Sequence, residues 1–315
     1  MMQRDSRLWQ SWLRPRLRKQ FEFVIESDGK TSDWGTGRTF LAIWRRAIEA
    51  EEKMKIIFFD IDGTLFGGGS QEMSESTKKA ISLARQNGNL CFINTGRTRK
   101  LVGEEITGQV EFDGLLLGCG TMAVYHDEVL MHRTFEMDLS LRIMDGLKKN
   151  GIDAVLEGSE EVYVPKPEDV RTRTFREYLE RFPKEYTASD ISLAPGHFDK
   201  FFAYVDERER MDAFAAEFEQ LDFIDRENGY FEVIPKGCSK ATAIHYITDL
   251  LKIPMEDTVA IGDSTNDLPM LSCAHTSIAM VNATQTVKDM VDYVTTDVTK
   301  DGIWNALKWL GVLDK

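Results

Sequence analysis

The sequence predicts an α/β fold, and three observations carry that prediction. Short apolar runs, Lys55-Ile56-Ile57-Phe58-Phe59 first among them, alternate with segments of helical periodicity, the pattern of βαβ units around a parallel sheet. The middle of the chain changes style, with hairpin-like strands and helices outside that alternation. The first style then returns and runs toward the C-terminus. Together these give a Rossmann-like parallel-sheet core, residues 54–134 and 235–315, with an inserted α+β cap domain over residues 135–234.

In order, residues 56–59 read as a buried central strand, 75–87 as a helix ended at Gly88, and 89–94 as a second strand. A helix is expected over 98–106 and a strand over 114–118. Inside the insertion the pattern gives a helix near 138–149, hairpin strands about 152–164 and a helix near 167–181. A strand over 201–205, a helix near 207–220 and two short strands ending at Ile234 follow. Ser239 is the N-cap of a helix running to about Leu251, 258–261 is a strand, and Leu268 lies in a further helix.

A chain of 315 residues, 42% hydrophobic and 29% charged, has room for two domains with separate cores. No stretch approaches the roughly 20 apolar residues of a membrane span, and the N-terminus lacks a secretory h-region, so the expected compartment is the cytoplasm with no membrane partner. The four cysteines form no C-x-x-C pair and read as reduced thiols; the five histidines show no ligand spacing. A formal charge of −13 argues against nucleic acid. It would also repel a phosphorylated metabolite, so a phosphate site here needs local positive charge from a metal, a lysine or backbone N–H groups. The expected state is a monomer or weak homo-oligomer.

Residues 1–53 stand apart as an N-terminal extension: they hold Trp9, Trp12, Trp34 and Trp44, four of the six tryptophans, and are mildly basic against a strongly acidic remainder. Met54 directly precedes the first strand, so the functional chain is expected to start there, with 1–53 as translated upstream sequence or a poorly ordered segment. The competing reading is a basic amphipathic anchor, with Trp9, Leu13, Leu17 and Phe21 every four residues, although Pro15 interrupts it.

The chemistry-bearing residues fall where strands end. Phe58-Phe59 delivers Asp60-Ile61-Asp62-Gly63-Thr64, and ligands of open α/β sheets bind beyond the carboxyl ends of strands. A carboxylate there can attack phosphorus, the role given to Asp60, while Asp62 protonates the leaving oxygen and then activates water; Gly63 and Thr64 support the turn. An ordinary D-G turn explains Asp62-Gly63 but not Asp60. The second strand ends in Asn94-Thr95-Gly96-Arg97. Here the Thr95 hydroxyl and Gly96 N–H suit phosphate oxygens and Arg97 supports them, though a plain strand-to-helix connection reads the same. Lys240, after Ser239, can stabilise charge on the phosphoryl group and nucleophile, yet a lone lysine is most often solvated. The strand ending Gly262-Asp263-Ser264-Thr265-Asn266-Asp267 offers oxygen ligands suited to Mg²⁺. Asp60 and Asp263 would bind it, with the Asp62 backbone carbonyl as third ligand. Asn266 and Asp267 would orient ligands or the phosphate, although an acidic helix N-terminus accounts for Asp267 alone.

In this order the four elements resemble the haloacid dehalogenase-like hydrolase superfamily. Thr95-Gly96-Arg97, Gly237-Cys238-Ser239-Lys240 and Gly262 through Leu271 are similar to its Cof-type (subfamily IIB) phosphatases, as is the tail Ala279-Met280-Val281-Asn282-Ala283 with Asp301-Gly302-Ile303. The resemblance covers about residues 54–312. It implies a Mg²⁺-dependent phosphatase of small phosphate monoesters, sugar phosphates or phosphorylated cofactors, working through an aspartyl-phosphate. Asp60 would be the nucleophile, Asp62 the acid/base, Thr95 and Lys240 phosphate-stabilising, and Asp263 the remaining metal carboxylate. Aspartate rather than threonine at position 62 fits monoester hydrolysis rather than a transport ATPase. Cys119-Gly120-Thr121 replaces the family's Asn-Gly-Ala, and Val281 replaces a glycine, which bears on loop shape and substrate contacts. The rival functions are a phosphosugar mutase, marked by a bisphosphate requirement, and a non-catalytic phosphosugar-sensing module, which has no need of Asp60, Asp62, Lys240 and Asp263 together. A cap moving about linkers near 134 and 235 would exclude water.

Overall fold

The computed structural model describes residues 54–67, 70, 72–181 and 188–314, so the expectations for residues 1–53 lie outside the described residues. The run Ile56–Phe59 forms β1, every residue of it buried. In chain order follow α1 (Glu75–Gln86), β2 (Leu90–Asn94), α2 (Glu104–Thr107), β3 (Gly114–Leu117), β4 (Met122–Tyr125) and β5 (Glu128–His132). Next come α3 (Met137–Lys149), β6 (Asp153–Glu157), β7 (Val162–Val164), α4 (Arg173–Arg181), β8 (Ser189–Asp190), β9 (Lys200–Tyr204), α5 (Arg208–Ala215), β10 (Leu221–Asp225) and β11 (Tyr230–Pro235). The chain closes with α6 (Lys240–Leu251), β12 (Thr258–Gly262), α7 (Leu268–Cys273), β13 (Thr276–Ala279), α8 (Gln285–Lys288), β14 (Tyr293–Val294) and α9 (Gly302–Trp309).

One sheet has the order β14-β13-β12-β1-β2-β3-β4-β5. It is parallel from β14 to β3, and β4 and β5 extend it antiparallel. A central parallel strand is covered on both faces, which is why β1 is apolar throughout rather than alternating. Ile57 and Phe59 join Ile81 and Ala84 of α1 and Ile303 and Leu307 of α9 in one core, while Phe58 turns to the other face against Phe92. Phe59 is in register with both Ile261 and Ile93. The segments after β1, β12 and β2 therefore emerge side by side at the carboxyl edge.

The second sheet has the order β10-β11-β9-β6-β7-β8, antiparallel except for the β7–β8 pair. One face packs Phe201, Ala203 and Val233 against Ile143 and Leu147 of α3 and Phe214 of α5. By the two-residue period of a strand, Phe202 and Glu232 point the other way, and both line a cavity against the first sheet's carboxyl edge.

Three predicted helices are shorter than expected. The 98–106 segment divides into a 3-10 turn, Arg99–Leu101, and α2, because Gly103 is extended between them. The 167–181 segment starts its α-helix only at Arg173: the Asp153 carboxylate accepts from Arg171 N at 2.9 Å and Thr172 N at 2.7 Å, holding both outside the helix. The 207–220 segment ends as α5 at Ala215 and turns toward β10, with Phe218 N donating to Ala215 O at 3.1 Å. Among the described residues no helix is long and apolar enough to cross a membrane.

Candidate active site

Asp60 follows β1, and its N–H donates to Ile261 O at 3.0 Å, carrying the β1–β12 pairing one residue further. Lys240 is the first residue of α6. That helix start is fixed twice: Ser239 and Thr242 form a reciprocal capping box, and Asn94 Nδ2, at the end of β2, donates to Lys240 O at 3.0 Å. The lysine's Nζ donates to Asp60 Oδ1 at 2.5 Å and to Asp267 Oδ1. Asp267 in turn accepts at Oδ2 from the N–H groups of Asp263 and Ser264, both at 3.0 Å. Gly262 makes this possible, since a Cβ there would sit 2.7 Å from the Asp267 side chain.

Asp263 is braced from the opposite side. Thr64 Oγ1 donates to its Oδ1 at 3.4 Å, and Asn282 Nδ2 lies 3.0 Å from both its Oδ2 and Gly63 O. Gly63 has φ of 79°, and a Cβ would approach Asp263 Oδ2 to 2.1 Å, so a side chain is excluded by conformation and by space. Asp60, Asp263 and Asp267 thus each present an oxygen within 4.8 Å of the others.

Asp60 and Asp267 share one ammonium, with Asp263 close by, in a site where Asp60, Lys240 and Asp267 are buried. Burial, reinforced by Asp267, outweighs Lys240 and pushes Asp60 up to about 8. Burial and Asp267 likewise raise Asp263 to about 7. Burial alone would lower Lys240, but Asp267 and Asp60 hold it above the usual ammonium range. An all-oxygen donor set with surplus negative charge fits a hard divalent cation.

The same electrostatics give a pH dependence. Both carboxyls bind protons more tightly folded than unfolded. Their contribution to stability is complete below the ordinary value of 3.8 and is lost as pH rises through about 7 for Asp263 and about 8 for Asp60. Thermal melts in chelator are expected to show the melting temperature falling across that window, with a flatter slope in Asp263→Asn. An added hard divalent cation such as Mg²⁺ should stabilise more at pH 8 than at pH 5, the gain at pH 8 being about 2.7 kcal/mol at a hundredfold excess over its Kd there. An equal response at both pH values would contradict this reading of the cluster.

Asp62 stands apart from the three. Its carboxylate accepts from Arg97 Nε at 2.9 Å and Nη2 at 2.6 Å, and its side chain is 61% exposed. Thr95 is buried, and its Oγ1 accepts from Arg97 N at 3.2 Å. Asp60, Asp62, Thr95, Gly96, Arg97 and Asn266 all border a cavity of about 310 Å³, whereas Lys240, Asp263 and Asp267 are not among its lining residues. The lysine predicted to touch phosphate is thus seen holding Asp60 and Asp267. Asn266 Oδ1 accepts from Ser264 Oγ.

The sequence profile of the haloacid dehalogenase-like hydrolases matches residues 57–307. The chain belongs to that family. It is an enzyme of that family, a hydrolase acting on phosphomonoesters. It is 30% identical to the Bacillus subtilis protein named "Putative phosphatase YkrA", over 82% of this chain and 98% of that one. The Bacillus subtilis 5-amino-6-(5-phospho-D-ribitylamino)uracil phosphatase YcsE is 25% identical over 81% and 95%. Among solved structures, a Geobacillus kaustophilus protein superposes with a TM-score of 0.72 at 27% identity, covering 82% of this chain and 99% of that one.

Two groups of site residues escaped sequence reasoning. Asn282 braces Asp263 and Gly63; it stands in the Ala279–Ala283 tail motif, which carried no role in isolation. From the second sheet and its β10–β11 turn, Glu157, Phe202, Arg226, Tyr230 and Glu232 join the cavity wall of this haloacid dehalogenase-like hydrolase. Their one signal was a charged residue, Glu232, inside the otherwise apolar run Tyr230–Pro235.

Proposed function

We propose that the protein is a Mg²⁺-dependent phosphatase of small phosphate monoesters, sugar phosphates or phosphorylated cofactors, with Asp60 as covalent nucleophile. The observation that carries this reading is a single buried lysine holding Asp60 beside two further carboxylates at the edge of a cavity. With Oδ1 held by Lys240, Asp60 Oδ2 attacks phosphorus and the bond to the ester oxygen breaks. Asp62 delivers the proton to that oxygen, for which it must leave Arg97. As a carboxylate it then takes a proton from water, whose oxygen attacks phosphorus, returning Asp60 and releasing phosphate. Thr95 Oγ1 and the Gly96 N–H bind phosphoryl oxygens. Asp60 and Asp263, with the Asp62 backbone carbonyl, would hold Mg²⁺, which when bound keeps the carboxylates ionised and offsets phosphoryl charge. Asn266 and Asp267 orient this set.

In the same reading residues 135–234 act as a cap on a core of residues 54–134 and 235–315, closing the cavity to water. Phosphate release from a panel of sugar and cofactor phosphates, with Mg²⁺ and with chelator, tests the proposal. Metal-dependent release is expected. Activity that persists in chelator, or appears only with a bisphosphate activator, would count against it.

A further inference from the structure

Lys240 can meet Asp60 only while the start of α6 is held against the sheet, and one buried side chain is committed to that contact. Asn94 closes β2, one residue beyond the register pair Phe59–Ile93, and so stands beside Asp60 on the neighbouring strand. It is fully buried, and its Nδ2 donates to Lys240 O at 3.0 Å. Its Oδ1 has no hydrogen-bond partner. A buried amide oxygen left unpaired costs stability. An apolar side chain would suit the end of a central parallel strand better, as Cys91, Phe92 and Ile93 suit the rest of it.

The bond that the amide does make is not needed to satisfy the backbone. Lys240 is the first residue of α6, so its carbonyl already accepts from the helix's own N–H four residues on. Nor is the bond needed to start the helix, which the capping box of Ser239 and Thr242 does from within α6. That box shapes the helix end but cannot place it against the sheet. The Asn94 bond does so. It joins the end of β2, next to Thr95 and Gly96, to the backbone of the residue whose Nζ holds Asp60 and Asp267.

We propose that Asn94 is a positioning residue, present at a cost in stability, that fixes the backbone of Lys240 so that the ammonium meets Asp60 in the geometry the attack on phosphorus needs. This rests on the reading of Asp60 and Lys240 above. The test measures kcat and KM for p-nitrophenyl phosphate with Mg²⁺, together with the melting temperature, in two variants. Asn94→Leu keeps the branching of the side chain without a polar atom, and Asn94→Ala cannot overfill the site. In both, kcat is expected to fall by about ten- to a hundredfold with KM within about threefold of the original, and Asn94→Leu should melt no lower than the unaltered protein. In a background of Lys240→Met with Asp267→Asn, the Asn94→Leu change should cost less than about threefold in kcat, because its effect runs through the lysine. A kcat within about threefold of the original in both single variants, or the full loss repeated in the lysine-less background, would overturn the proposal. So would a fall in kcat that in both variants accompanies a large drop in melting temperature, which would make Asn94 a structural residue. Asp60→Asn reports the phosphatase reading separately. If it is inactive while the Asn94 variants turn over normally, only this proposal fails; if it keeps full activity, both fall together.

Discussion

Replacing Asp60 by Asn is expected to reduce phosphate release by at least about 10⁴-fold while leaving the fold intact. The amide keeps the shape of the carboxylate but cannot serve as the attacking oxygen. Stability should hold, because the change removes a buried charge that burial and Asp267 already disfavour, and Lys240 retains Asp267 as partner. Melting temperature in chelator is therefore expected to stay level or rise. An inactive Asp60→Asn protein that also melts far below the original would show that the residue is needed for folding, and the activity loss would then say nothing of a nucleophile.

Lys240→Met is expected to damage both properties. Lys240 Nζ is the one cation seen hydrogen-bonded to Asp60 and Asp267 among the described residues, and removing it leaves two buried carboxylates facing each other. Breaking a buried pair in this way costs about 3–5 kcal/mol. Activity should fall by about 10²–10³-fold or more, from lost stabilisation of the phosphoryl group and a displaced Asp60. The stability loss should be largest above pH 7 and smaller in acid, where Asp60 protonates. Adding Asp267→Asn should recover part of the stability without restoring activity, a coupling that denaturant unfolding of the single and double variants would measure. Strictly additive effects would place Lys240 and Asp267 in separate networks.

These residues show which parts of the fold and site could be read in advance. The β1, β2 and β12 segments were legible because central parallel strands are buried on both faces, and each runs straight into a short polar motif at its carboxyl end. The edge strand β5 was not, since Glu128 and Val129 are exposed and the segment lacks that apolar signature. Nor was β14, which has two residues. Helix boundaries failed where one side chain or one glycine decides them, as with the Asp153 carboxylate before α4 and Gly103 before α2. In the site, Asp60 and Asp263 announce themselves by position after a strand. Lys240 does not: its burial depends on Asn94, 146 residues away in sequence, gripping its carbonyl. Glu157 was the least legible, because it comes to the cavity wall only through the pairing of β6 with β9, a property of topology and not of order along the chain.

The covalent role of Asp60 can be tested most directly by acid-quenching a single turnover at short times and mapping phosphorylated peptides by mass spectrometry. A phosphoryl group should appear and decay on the peptide containing Asp60, only when Mg²⁺ is present, and never in Asp60→Asn. Release of phosphate in the first turnover with no adduct at any time, together with residual activity in Asp60→Asn, would mean that water attacks the ester directly and that Asp60 is not the nucleophile.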